Sequence, residues 1–161
     1  KQKLTKGGYA YLPEGSAFSL NNPTMDQTKV EWVKRRYELI DLPKPKPLFG
    51  NQKDVELEPG DVQNTYTQYL IPPDDMAFDM HMNIVLLDPG TYFDYVETHI
   101  IEHGQYMLTG QGIYVLGDQY LEVEATDFIW MAPYCPQFYF ATGWERSSYL
   151  LYKNVNRDIK L

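Results

Sequence analysis

The sequence predicts an all-β protein, a barrel or sandwich of short strands. Three observations carry this. Aromatic residues make up 15% of the 161 positions, with 14 tyrosines, a composition that suits the pleated, half-buried surface of a sheet. Past Asp54, runs rich in β-branched and aromatic side chains alternate with glycine and proline turns. No run of 12 or more residues between 54 and 153 demands a helix, and many short strands at close spacing are the mark of a closed or two-layered β fold.

In chain order, the strand signals are "VQNTYTQYLI", "AFDMHMNIVLL" and "DPGTYFDYVETHII", then "GQYMLTGQGIYVLGDQYLEVEATDFIWM", "QFYFATG" and "SSYLLYKNV". Turns are expected at Pro89-Gly90, Thr109-Gly110, Gly117-Asp118 and Thr142-Gly143. Upstream, "DQTKVEWVKRRYELI" is the best helical candidate, although Val30, Trp32, Val33 and Tyr37 read equally well as a strand. "KPKPLFG" is a proline-rich linker whose prolines carry no N–H donors.

An internal repeat bears on the domain plan. Shifting "GGYAYLPEGSAFSLNN" by 119 residues onto "ATDFIWMAPYCPQFYFAT" sets Tyr9 on Phe128, Tyr11 on Trp130, Leu12 on Met131 and Phe18 on Gln137. The same shift sets Lys34 on Lys153. One offset serving two separate pairs of segments predicts that residues 1–43 are the closing strands of an upstream domain built like the second. Residues 44–61 are then a linker and 62–161 the second domain. The orphan strands would leave open edges, so a homo-oligomer is expected.

The net charge of −8 argues against a nucleic-acid partner, since phosphate recognition needs clustered Lys and Arg. Apolar runs such as "IVLL" fall short of a membrane span. A single cysteine, Cys135, fits a reducing compartment, and "KQKLTKGG" lacks the apolar core of a leader, so a cytoplasmic location is expected.

The chemistry concentrates in "ETHIIEH". The chain has three histidines, and two of them stand here with Glu97. On a strand, Glu97 and His99 share a face, and His103 keeps that parity if the strand continues. Glu102 has the opposite parity and is expected in solvent. One carboxylate and two imidazoles form a set suited to Mn, Fe, Ni or Zn, with open positions for water or substrate; an ordinary polar strand face is the alternative. Cys135 reads as a small buried hydrophobe and His81 as a polar strand position.

Gly90 to Gly110 resembles the first cupin motif, with Glu97 where the first histidine would stand and His103 where the glutamate would. "WMAPYCPQFYF" resembles the second motif, with Gln137 in place of its histidine. The opening segment resembles a second motif too, but Phe18 replaces the metal histidine. Together with "GQGIY", "DFIWM" and "YLLYKNVNRD", the set is similar to the (S)-ureidoglycine aminohydrolases, the manganese bicupin family of purine (allantoin) degradation.

The resemblance implies a cupin (jelly-roll) fold, the C-terminal cupin of a bicupin, preceded by the closing strands of a degenerate N-terminal cupin. It implies one Mn²⁺ per chain on Glu97, His99, His103 and Gln137; the amide oxygen in place of an imidazole hardens the site in that direction. The implied reaction is hydrolysis of the bond to the 2-amino group of (S)-ureidoglycine, a small-molecule substrate, releasing ammonia and (S)-ureidoglycolate. Tyr149 and Lys153 would act on the substrate, with Tyr114 lining its pocket. An Fe(II)-dependent cupin dioxygenase and a non-catalytic ligand-binding cupin are the rival expectations.

Overall fold

A computed structural model describes residues 1–157. Eleven strands run in chain order: β1 (Gly8–Tyr11), β2 (Leu48–Asn51), β3 (Glu58–Pro59), β4 (Thr65–Tyr69), β5 (Met80–Leu87), β6 (His103–Thr109), β7 (Gln111–Leu116), β8 (Gln119–Glu124), β9 (Phe128–Met131), β10 (Gln137–Ala141) and β11 (Ser147–Asn154). A six-stranded sheet in the order β3-β4-β5-β11-β6-β9 faces a three-stranded sheet, β10-β7-β8. All their pairings are antiparallel. The expected turns form where glycine can take a positive φ, as at Gly90 (77°), Gly110 (75°) and Gly117 (62°).

The core lies between the two sheets. Leu87, Met107, Ile129, Met131, Tyr149 and Leu151 enter from the large sheet and Tyr114, Val123, Tyr139 and Ala141 from the small one. Side-chain alternation makes this possible: every second residue of β5, β6, β10 and β11 points inward.

The pairing also stacks the inward residues of the large sheet in rungs. Tyr149 stands between Val85 and Met107, Leu151 between Asn83 and Gln105, and Lys153 between His81 and His103. From the first rung to the third, the interior changes from apolar to polar, and this gradient positions the site.

Gly112 is required by packing. It faces Ala141 on β10, and a Cβ there would run into the ring of Tyr139, which is fully buried. Gly112→Ala is therefore expected to destabilise the fold by about 1–3 kcal/mol through overpacking, measured as a lowered urea midpoint with an unchanged slope.

Three expectations change. "DQTKVEWVKRRYELI" forms neither helix nor strand. It is pinned by side chains instead: Arg35 donates to the Asp79 carbonyl at 2.8 Å, and Tyr37 to the Ala77 carbonyl at 3.0 Å. "DPGTYFDYVETHII" is no continuous strand; it meets β10 of the small sheet at the isolated bridges Tyr92–Phe140 and Glu97–Gln137 and through the Gly90 N–H, which donates to the Ala141 carbonyl at 3.0 Å. The range 44–61 holds β2, a 3-10 turn at Gln52–Asp54 and β3.

The repeat has a partial structural counterpart. β1 lies 119 residues before the start of β9's neighbourhood, while residues 18–22 and 28–35, which match β10 and β11 at that offset, form no strand. Phe18, Leu20, Met25, Val30 and Trp32 are correspondingly exposed. Two contacts link positions exactly one repeat apart: Arg35 donates to the Asn154 side chain, and Arg157 donates to the Glu38 carbonyl at 2.6 Å.

Candidate active site

The polar end of the barrel encloses a cavity of about 180 Å³, which suits a compact ligand, since pockets for drug-sized molecules run to roughly 300–1,000 Å³. Glu97, His103, Tyr114, Gln137, Tyr149 and Lys153 all line it. His99 stands at its edge, with its ring centroid 4.9 Å from that of His103. The seven residues singled out from the sequence are thus brought together by four strands, β6, β7, β10 and β11, and the irregular segment before β6.

Strand parity accounts for only part of this. His103 opens β6 and Gln137 opens β10, both pointing inward and only 2% and 3% exposed. Glu97 and His99 precede β6 on irregular backbone. They are held by a reciprocal pair of backbone bonds between Glu97 and Gln137, both 2.9 Å, and by the Tyr134 N–H donating to the His99 carbonyl at 2.7 Å. The Thr98 hydroxyl adds a bond to the Tyr134 carbonyl at 3.0 Å. Tyr134 takes a φ of 62° to make this turn, a left-handed conformation that costs a non-glycine residue on the order of 1 kcal/mol.

The donors form two pairs. His103 Nε2 lies 3.0 Å from Gln137 Oε1, and His99 Nε2 lies 3.1 Å from Glu97 Oε1. Among the described residues, no three His, Cys, Asp or Glu side chains close into a tight ligand group, so joining the pairs on one ion falls to the more exposed Glu97 and His99. The fit is otherwise good. Donors about 2.1 Å from an ion and at right angles to each other lie about 3 Å apart, the separation both pairs show. Both nitrogens of His99 and Nδ1 of His103 are buried without a hydrogen-bond partner. Burial, then the nearby Lys153 and His99, lowers the pKa of His103 to about 4, so at neutral pH its imidazole is uncharged, the form that ligates.

Lys153 reaches Glu97 Oε1 at 3.6 Å and is about one quarter exposed. Deeper in, Tyr114 and Tyr139 stack with ring centroids 5.1 Å apart, and Tyr139 meets Tyr149 edge-on at 6.0 Å. Burial pushes the phenols of Tyr114 and Tyr149 well up; at Tyr114 a hydrogen bond from Gln105 works the other way. Below about pH 10 both folded and unfolded chains hold these protons. Above it the unfolded chain releases them while the core retains them, so the unfolded state binds fewer protons and stability falls as pH rises. Melting temperatures should be level from pH 8 to 9 and drop above pH 10, with a shallower drop in Tyr149→Phe.

The remaining calls fall as follows. His81 is a half-buried β5 residue whose ring meets the Pro73 carbonyl at 3.2 Å. Cys135 is partly buried against the core. Glu102 does face away from the site, but it is not free in solvent: it accepts from the Asn154 amide at 2.9 Å. Sequence reasoning missed Asn83 and Gln105, both buried and both in the cavity wall. Their carbonyl oxygens have no donor, at a cost of about 1–3 kcal/mol each. The signal was present for Gln105, which is two residues from His103 on the same strand face.

Facing sheets, inward histidines at the mouth and a polar cavity define a cupin fold. A cupin-2 domain from Rhodospirillum rubrum superposes with a TM-score of 0.56 at 20% identity, over 65% of this chain and 72% of that one. The sequence relatives are narrower. The chain is 39% identical over 159 residues to the (S)-ureidoglycine aminohydrolase of Arabidopsis thaliana, covering 98% of the chain and 52% of the relative. It is 33% identical over 159 residues to the Escherichia coli K12 enzyme of the same name, covering 98% and 61%. The protein is thus similar along nearly its whole length to (S)-ureidoglycine aminohydrolases, and it spans about half to three-fifths of the length of these curated relatives. No family model matches the chain. Among the described residues, no helix is long and apolar enough to cross a membrane.

Proposed function

We propose that the chain carries the metal-binding cupin of an (S)-ureidoglycine aminohydrolase of allantoin breakdown. The observation that supports this reading is that the pair His103–Gln137 and the pair His99–Glu97 stand side by side at the mouth of the cavity, in a chain similar to enzymes of that name. The proposed occupant is one Mn²⁺ per chain. It would supply Lewis-acid character and an anchor for anionic substrate, because one carboxylate among four ligands leaves about one net positive charge.

The reaction takes water and (S)-ureidoglycine to (S)-ureidoglycolate and ammonia: the bond from the central carbon to its amine breaks, and a carbon–oxygen bond forms. The chain's part is mainly positioning. Lys153 Nζ offers a point charge to the substrate carboxylate. Tyr149 and Tyr114 stay protonated in their buried setting and offer hydroxyl hydrogen bonds that fix the ligand. The cavity walls limit access by bulk water. A bicupin arrangement, a homo-oligomer, a cytoplasmic setting and no nucleic-acid or membrane partner complete the proposal.

Freshly generated (S)-ureidoglycine should give one ammonia per substrate with manganese-loaded protein. Oxygen uptake without ammonia, or neither, would overturn the reading.

A further inference from the structure

We infer that Asn83 and Gln105 form a subsite for an N–H-rich group and, resting on the reaction proposed above, that this group is the ureido end of the substrate. The two residues occupy one rung of the large sheet, on either side of Leu151. They are 7% and 3% exposed, and both face the cavity. Neither Asn83 Oδ1 nor Gln105 Oε1 finds a hydrogen-bond partner among the described residues.

Other buried amides of the fold are satisfied. Gln68 donates to the Gln52 and Val55 carbonyls at 3.0 and 2.8 Å, and Gln137 Oε1 meets His103 at 3.0 Å. Two buried acceptors in one cavity wall lack donors, so the complement has to bring N–H groups with it.

The neighbouring rung sets the ligand's polarity. Lys153 and His103 lie there, two residues along their strands and nearer the mouth. A ligand whose anionic end meets Lys153 therefore extends its other end to the Asn83–Gln105 rung. A ureido acid has this form: a carboxylate at one end and three N–H bonds on a planar group at the other. An analogue that lacks those N–H bonds would leave both oxygens bare, which is the strongest form of discrimination a polar pocket has.

The test is calorimetric binding to the full-length, manganese-loaded protein with two non-reacting probes. N-carbamoylglycine keeps the carboxylate and the ureido group but has no 2-amino group to lose; N-acetylglycine puts a methyl in place of the terminal NH₂. The wild type should prefer N-carbamoylglycine by at least about tenfold. Asn83→Leu and Gln105→Met should bring that preference to within about twofold, with N-acetylglycine binding and metal content unchanged. Both variants remove an unsatisfied buried acceptor, so their melting temperatures should hold or rise; a fall in both would assign the pair a structural role. Should Gln105→Met fail to fold, Gln105→Glu preserves its shape and should still bind N-carbamoylglycine. Equal binding of the probes, binding of neither, or a preference intact in both variants overturns the subsite. Ammonia release without discrimination keeps the reaction and removes the subsite; discrimination without ammonia release does the reverse.

Discussion

His103→Ala should leave the protein with less than about a tenth of its manganese and lower ammonia release by at least about 10³-fold, because a ligand is lost and the donor set opens. The size of the effect follows from burial. His103 is 2% exposed and forms one member of the closer donor pair, 3.0 Å from Gln137 Oε1. Glu97→Ala should do the same for a different reason: it removes the one negative charge of the set and leaves three neutral donors. Glu97 is more exposed and is tied through backbone to Gln137, so that variant keeps the fold even where His103→Ala loosens it. Metal analysis after dialysis reads both. A Glu97→Ala protein that retained a full equivalent of manganese would remove the ligand assignment.

Lys153→Met should raise KM for (S)-ureidoglycine on the order of 10²-fold, with a smaller fall in kcat. Methionine keeps the length of the side chain and drops the charge. A partly buried cation that pairs with a substrate carboxylate is worth about 2–5 kcal/mol by truncation; at one quarter exposure the lower end applies. Lys153 also stands 3.6 Å from Glu97 Oε1. Steady-state kinetics at saturating manganese separates these roles: a KM effect belongs to the substrate, whereas a higher manganese requirement belongs to Glu97. An unchanged KM would end its assignment to substrate.

Much of the fold was legible. Tyrosine-rich runs broken by Gly90, Gly110 and Gly117 predict strands and turns, and the structure places them there, because local alternation and turn chemistry are written residue by residue. The segments at 26–40 and 88–101 were not legible in the same way. Val30 and Trp32 have strand propensity, but propensity does not supply a neighbouring strand. Glu97 and His99 come near the cavity through a bridge to Gln137 and a strained turn at Tyr134, not through a continuous strand, so the parity rule predicted their closeness to His103 on the wrong grounds. Gln105 could have been found from its spacing of two from His103, whereas Asn83 escaped notice because an amide in a strand carries no signature until its burial and its missing partner are known.

The contacts between Arg35 and Asn154 and between Arg157 and Glu38 each join positions 119 residues apart. They differ in what they ask of the sequence. Arg157 grips a main-chain carbonyl, so any residue at position 38 could receive it, whereas the Arg35 bond needs an acceptor side chain at position 154. The irregular segment at 26–40 is therefore anchored to the last strand and the residues just past it by one contact that tolerates substitution and one that does not.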